Sequence, residues 1–325
     1  MGQRLSLYGL MRRHALESGA ARRLQALAGL EDPPAPLAHV LPRGLAVLAA
    51  TLGGFGLILW IAANWEDFGR FGRFGLLLGF FVAMGGGAAA RPALRAPLGL
   101  LALLAIGAVF AYFGQTYQTG ADPWQLFAVW ALLALPLCLG TRSDVLWAPW
   151  SLVAMAAVSL WAHARLGQRW QVQPEDLSTH AIAWLAGALL VLALGRLARR
   201  FTGAGVWSLR TAVTLWVVML GFSALGGLFH TPVAPHFVLG LGVMAAAAVA
   251  LSLKATFDVF ALSAVALGLN VLVTTGLARW LFDTHRGDGV GRLLLIGCMA
   301  ATLLAGSVHL ILRLSRRHET TGSAA

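Results

Sequence analysis

Charge is scarce in this chain. Asp, Glu, Lys and Arg make up 11% of its 325 residues, where a soluble globular domain carries about a quarter. So little charge cannot clothe a water-facing surface, which excludes a soluble enzyme and a disordered tail. Cysteine is nearly missing: Cys138 and Cys298 each lie inside an apolar run with no partner at motif spacing. Neither a disulfide framework nor a cysteine-based metal site is encoded, and both thiols read as small hydrophobes. Lysine is reduced to Lys254, against 23 arginines. No Gly-x-Ser-x-Gly turn occurs, nor a glycine-rich phosphate loop followed by lysine. His230 and His236 flank the pentapeptide Thr231-Pro232-Val233-Ala234-Pro235 but lack the further ligands zinc requires. No catalytic residue, metal or cofactor is therefore assigned.

What is abundant is apolar sequence. The hydrophobic residue types reach 58% and the mean hydropathy is +0.76. A helix that crosses the hydrocarbon core needs about 20 mostly apolar residues. That ruler predicts ten spans, at 44–63, 74–90, 97–115, 124–141, 144–163, 179–196, 207–229, 236–253, 257–277 and 290–312. The fold class expected is all-α, a polytopic transmembrane helical bundle. The fourth and fifth spans are separated only by Gly140-Thr141-Arg142-Ser143-Asp144, a tight turn. Glycines at 85–87, 221, 226, 227, 240 and 242 are expected to let helices approach closely where lipid supplies no hydrophobic drive.

Arginine sets the orientation. With both termini cytoplasmic, 17 of the 24 basic residues fall inside and 7 outside, while the acids divide 6 to 7. The net charge of +11 therefore belongs to one membrane face, as the positive-inside bias requires. The basic residues are spread over connectors and gather no single face, so nucleic acid is not an expected partner. Residues 1–43 lack the apolar stretch and cleavage site of a signal peptide. They read as a cytoplasmic amphipathic helical segment, with short helical stretches near 4–16 and 19–30, lying on the anionic inner leaflet or docking a partner. Residues 44–313 form the transmembrane domain and 314–325 a short cytoplasmic tail.

Two polar clusters interrupt this pattern on the expected outer face. Asn64-Trp65-Glu66-Asp67 closes the first span, and Gly114-Gln115-Thr116-Tyr117-Gln118-Thr119-Gly120-Ala121-Asp122 joins the third to the fourth. Polar groups beside hydrocarbon must find partners in protein or water. If spans one and three are neighbours, Asn64, Trp65, Glu66, Gln115, Tyr117 and Asp122 line an outward polar pocket. The same groups also serve as interfacial caps and an aromatic belt. The tandem Phe68-Gly69-Arg70-Phe71-Gly72-Arg73-Phe74-Gly75 suits anchoring in lipid headgroups. His309 and Asn270 lie within the last two spans and are candidates for helix–helix hydrogen bonds or function.

Ala62-Ala63-Asn64-Trp65, Gly114-Gln115-Thr116-Tyr117 with Asp122, and Trp130-Ala131-Leu132-Leu133-Ala134-Leu135-Pro136 followed by Arg142-Ser143 carry a resemblance. Over residues 40–145 the chain is similar to a bacterial family of predicted membrane proteins, the domain of unknown function 2157 type. That family also starts with a short charged helical segment. The resemblance implies a multi-pass protein of the bacterial inner (cytoplasmic) membrane and supplies no site residues. The second half rests on hydropathy.

Two functions fit these observations. The first is transport or permeation of a small or lipid-like solute through the outward pocket. The alternative is a non-catalytic scaffold or sensor for an envelope membrane-protein partner, read through the N-terminal segment. The lipid bilayer is the partner common to both. Orientation is directly testable: Gln118→Cys is expected to react with an impermeant maleimide on intact cells, and Arg199→Cys only after permeabilisation. The reverse pattern would invert the topology.

Overall fold

In lipid, backbone N–H and C=O groups have no water to bond, so a spanning segment must satisfy them within itself. The chain answers with helices. The structure, a computed structural model, describes residues 11, 13–14, 17–27, 35–64, 67–117, 120, 122–167, 169, 171–284 and 289–322, among which there is no strand. The long helices are α2 (Ala35–Ala63), α3 (Arg70–Ala90), α4 (Arg95–Tyr117), α5 (Pro123–Thr141) and α6 (Asp144–Arg165), then α7 (Leu177–Leu194), α9 (Val206–Leu228), α10 (Pro235–Ser252), α11 (Val259–Thr284) and α12 (Gly289–Gly322). Two short helices, α1 (Ser18–Leu27) and α8 (Arg199–Thr202), complete the set. Among the described residues ten helices are long and apolar enough to cross a membrane, and they coincide with the ten expected spans. The protein is an all-helical, multi-pass membrane protein.

Two boundaries differ most from the sequence reading, the start of α2 and the end of α12, which runs to Gly322 rather than to 312. α2 begins at Ala35 and carries Pro42 inside it, so the helix starts well before the expected span at 44. Proline is best tolerated in a first turn, and here the helix continues past it. Of the expected N-terminal pair, the second is seen as α1. The first, near 4–16, lies largely outside the described residues. The chain divides into two compact units, 1–53 and 54–325.

The surface of the second unit differs from that of a water-soluble protein. Large apolar side chains point outward, Phe222 at 74% exposure and Phe71 at 76%, a surface that water would penalise and lipid does not. The interior mixes large apolar side chains, Leu103, Leu146, Leu220 and Met244 among them, with small ones: Ala102, Ala134, Ala212 and Ala224 are buried, as are Ser151, Ser208 and Ser223. Helix α9 occupies the centre, packing on α6, α7, α10 and α11, while α3 to α7 pack in chain order.

Indole hydrogen bonds set the register between these helices. Trp130 Nε1 donates from α5 to Leu103 O of α4 at 2.9 Å, and Trp150 Nε1 from α6 to Ala131 O of α5 at 2.8 Å. Trp216 Nε1 reaches from α9 to Trp184 O of α7 at 2.8 Å, and Trp184 Nε1 returns to Ser223 Oγ of α9 at 2.9 Å. Each indole needs a flat place to lie. A Cβ on Gly107 would strike the Trp130 ring, and one on Gly187 would come within 2.6 Å of Trp216. Of the glycines expected to permit close approach, Gly226, Gly227 and Gly240 do so, against Val172, His236 and Ala224, and Gly87 sits close to Leu98. Gly221 makes an ordinary contact with Met244, whereas Gly85, Gly86 and Gly242 face open space.

The tight turn between α5 and α6 is present, with Arg142 in the left-handed region at φ 50°. Asp144, just after it, organises the far end of the central helix. Its carboxylate accepts from the backbone N–H of Gly205 at 3.0 Å, Trp207 at 2.7 Å and Ser208 at 2.9 Å, satisfying three donors that the first turn of α9 leaves unpaired. Trp147 Nε1 adds a bond to Thr202 O at 2.8 Å. Asp144→Ala is expected to cost about 2 kcal/mol of stability and Asp144→Asn less, since one oxygen still accepts. Thermal unfolding in detergent measures both.

Candidate functional site

Residues expected to line one pocket separate into different roles. The part of α2 from Gly54 onward neighbours α4, since a Cβ on Gly54 would sit 2.8 Å from Leu101. A cavity of about 350 Å³ lies near their ends, walled by Ile58, Ala62, Leu104, Tyr112, Gln115 and Trp130 among others. Tyr112 OH donates to Arg70 O at 3.3 Å and the Trp130 indole to Leu103 O, which makes Gln115 the polar group available to a ligand. Asn64 is turned back on its own helix, donating from Nδ2 to Trp60 O at 2.9 Å. Tyr117 is exposed and its ring meets Phe113 at 4.9 Å and Phe74 at 6.0 Å. Asp122 precedes α5 with extended backbone, and its side chain makes no capping bond. Of these six residues only Gln115 is among the walls of the cavity; Trp65 and Glu66 lie outside the described residues.

A larger cavity, about 680 Å³, opens between α6, α7 and α9. Alternation of the helices places it at the same end of the bundle as Tyr117 and Asp122. Its walls are mainly apolar, with Leu152, Met155, Met219 and Phe222 among them, and it also meets His163, Arg169, Gln171, His180 and Ser223. Arg169 is anchored through Nε on Leu166 O at 3.0 Å, leaving its terminal nitrogens to solvent or a ligand. Ser159 Oγ faces Met219 Sδ at 3.5 Å.

Behind that cavity stands a pair of histidines. The turn before α7 is fixed by a reciprocal cap, in which the Gln173 side chain accepts from the Asp176 backbone and Asp176 Oδ2 from Gln173 N–H. This places Asp176 O 3.1 Å from His180 Nδ1. His236, in the first turn of α10 after Pro235, is fully buried, and its Nε2 lies 3.2 Å from the same His180 Nδ1. The rings meet edge to face, centroids 4.9 Å apart at 84°. A carbonyl only accepts, which assigns the hydrogen to His180 Nδ1 and makes His236 Nε2 the acceptor in the ring–ring contact. His236 then carries its own hydrogen on Nδ1, a buried atom with no partner. Unsatisfied buried donors are rare and costly. The Trp184 ring closes the cluster, 6.4 Å from His236.

The histidine bracket of the sequence is thus pulled apart. His236 faces His180, while His230 Nε2 faces Gln173 Oε1 at 3.3 Å. Among the described residues no three His, Cys, Asp or Glu gather in a way that could hold a metal. Asn270 finds its partner in Ser307 of α12 at 3.0 Å, a helix–helix hydrogen bond. Sequence reasoning missed His180. A polar residue at depth in an apolar run was the signal available, but its partner lies 56 positions away.

Residues 9–147 match a family described as Predicted membrane protein (DUF2157). No curated protein and no solved structure matches the chain. The matched segment contains the Gln115 cavity and ends before His180 and His236. Within the histidine cluster, Ser223→Ala is expected to strand the Trp184 N–H and lower stability by about 1–3 kcal/mol, read as a lower unfolding temperature in detergent.

Proposed function

We propose that the protein binds and passes a small amphipathic, lipid-like solute from the outer side of the bacterial inner membrane, with both termini in the cytoplasm. The observation that carries this reading is the 680 Å³ cavity. Its size falls within that of small-molecule sites, about 300–1,000 Å³. Apolar walls from Leu152, Met155 and Phe222 suit a hydrocarbon portion, and Arg169, Gln171 and His180 offer hydrogen bonds to a polar head. Gln115 gives the second cavity at the same end one polar contact of the same kind. At the same end, Asn64, Tyr117 and Asp122 supply an outward polar rim in this reading. The arginine distribution supports the orientation.

Purified protein titrated with oleic acid, farnesol, glucose and lactate tests the proposal. Oleic acid or farnesol is expected to bind, and Ala156→Phe, which places a ring in the larger cavity, to weaken that binding by about tenfold or more. His180→Ala is expected to weaken it too. Binding of glucose or lactate alone, binding of nothing, or indifference to Ala156→Phe would overturn the reading.

A further inference from the structure

At the opposite end of the bundle, the ends of α7, α9 and α11 enclose a cleft of about 310 Å³. Three arginines line it, Arg196, Arg199 and Arg210, against one carboxylate, Asp258. That carboxylate caps α11, its Oδ1 accepting from Ala261 N–H at 2.9 Å, and its single negative charge leaves the cleft with a net excess of positive charge. The N-terminus of α9 is likewise occupied, because Asp144 takes its donors. The three guanidinium groups are therefore the recognition elements of the cleft.

Arg196 and Arg199 are exposed, whereas Arg210 differs from arginines that merely mark a loop and reach into water. Arg210 is half-buried, its guanidinium 5.4 Å from the Trp207 ring centroid and 5.2 Å from that of Phe260. Its Nε is buried without a hydrogen-bond partner. Arg196 is held in place by a bond from Nη1 to Phe257 O at 3.0 Å. A half-buried cation that makes no ion pair among the described residues is costly, and two aromatic faces offset only part of that. The fork of a guanidinium matches phosphate oxygens with paired, charge-assisted hydrogen bonds.

We propose that the Arg196–Arg199–Arg210 cleft binds a phosphate-bearing anion. Phosphate reaches such a cleft either as the headgroup of an anionic phospholipid, for which basic pockets between helices are suited, or as a soluble phosphate. The site shares no residue with the His180 cavity and stands independently of the solute proposal.

The test uses full-length protein in neutral detergent, titrated in one arm with phosphatidylglycerol and in the other with inorganic phosphate, with thermal shift and native mass spectrometry as readouts. Arg210→Gln and the exposed Arg199→Gln are each expected to weaken binding by about tenfold, the scale of one lost charge-assisted contact. Arg200→Gln, a neighbouring arginine that does not line the cleft, is expected to leave binding unchanged. Loss in the phosphatidylglycerol arm alone supports the site with lipid as the source, and loss in the phosphate arm supports it with the soluble anion. If Arg199→Gln and Arg210→Gln bind like the unaltered protein, if Arg200→Gln weakens binding equally, or if neither probe binds, the proposal fails.

Discussion

An indole has one N–H and no acceptor of its own, and inside a membrane domain that hydrogen must find an oxygen within the protein. Here the requirement fastens the bundle. Trp130, Trp150 and Trp216 each bond a carbonyl on the adjacent helix, and Trp184 bonds the Ser223 hydroxyl. A helix-interior carbonyl already accepts one backbone N–H, and its second lone pair serves the indole. Each bond contributes only about 0.5–1.5 kcal/mol net, yet each is available at a single axial offset of two helices. Hydrophobic burial discriminates poorly between offsets in lipid, so these directional contacts set the register. Gly107 and Gly187 are the other half of the device, since any side chain there would occupy the space of the ring.

That register places polar chemistry at the two ends of the bundle. At one end, the Trp184–Ser223 bond brings α7 against α9 and so holds His180 beside both the larger cavity and His236. At the other, Asp144 caps α9, and the same helix start carries Arg210 into its cleft between Trp207 and Phe260. Packing that fixes one site therefore fixes the other through a shared central helix.

Much of the architecture was legible in the sequence because insertion into lipid is a local decision. Each apolar run, from Val206–Leu228 to Pro235–Ser252, is long enough to span on its own account, and the turn at Arg142-Ser143 is too short for anything but a reversal. The proposed pocket was less legible. Asn64 and Gln115 are equally polar and lie at the same end of the bundle, but the Asn64 amide reaches its own i−4 carbonyl while Gln115 meets a cavity. Composition cannot distinguish these outcomes, because a short side chain at a helix end satisfies itself whenever local geometry permits.

The sequence by itself determined an all-helical chain with ten segments able to cross a membrane, and a strong imbalance of arginine between alternate connectors. Both follow from residues acting one neighbourhood at a time. Only the tertiary structure decided that His180 meets His236, that Trp184 meets Ser223, and that Arg196 and Arg199 share one cleft with Arg210 and Asp258. Those pairings depend on how far each helix slides and turns against the next, a choice made by side-chain shape and a few directional hydrogen bonds between residues distant in the chain.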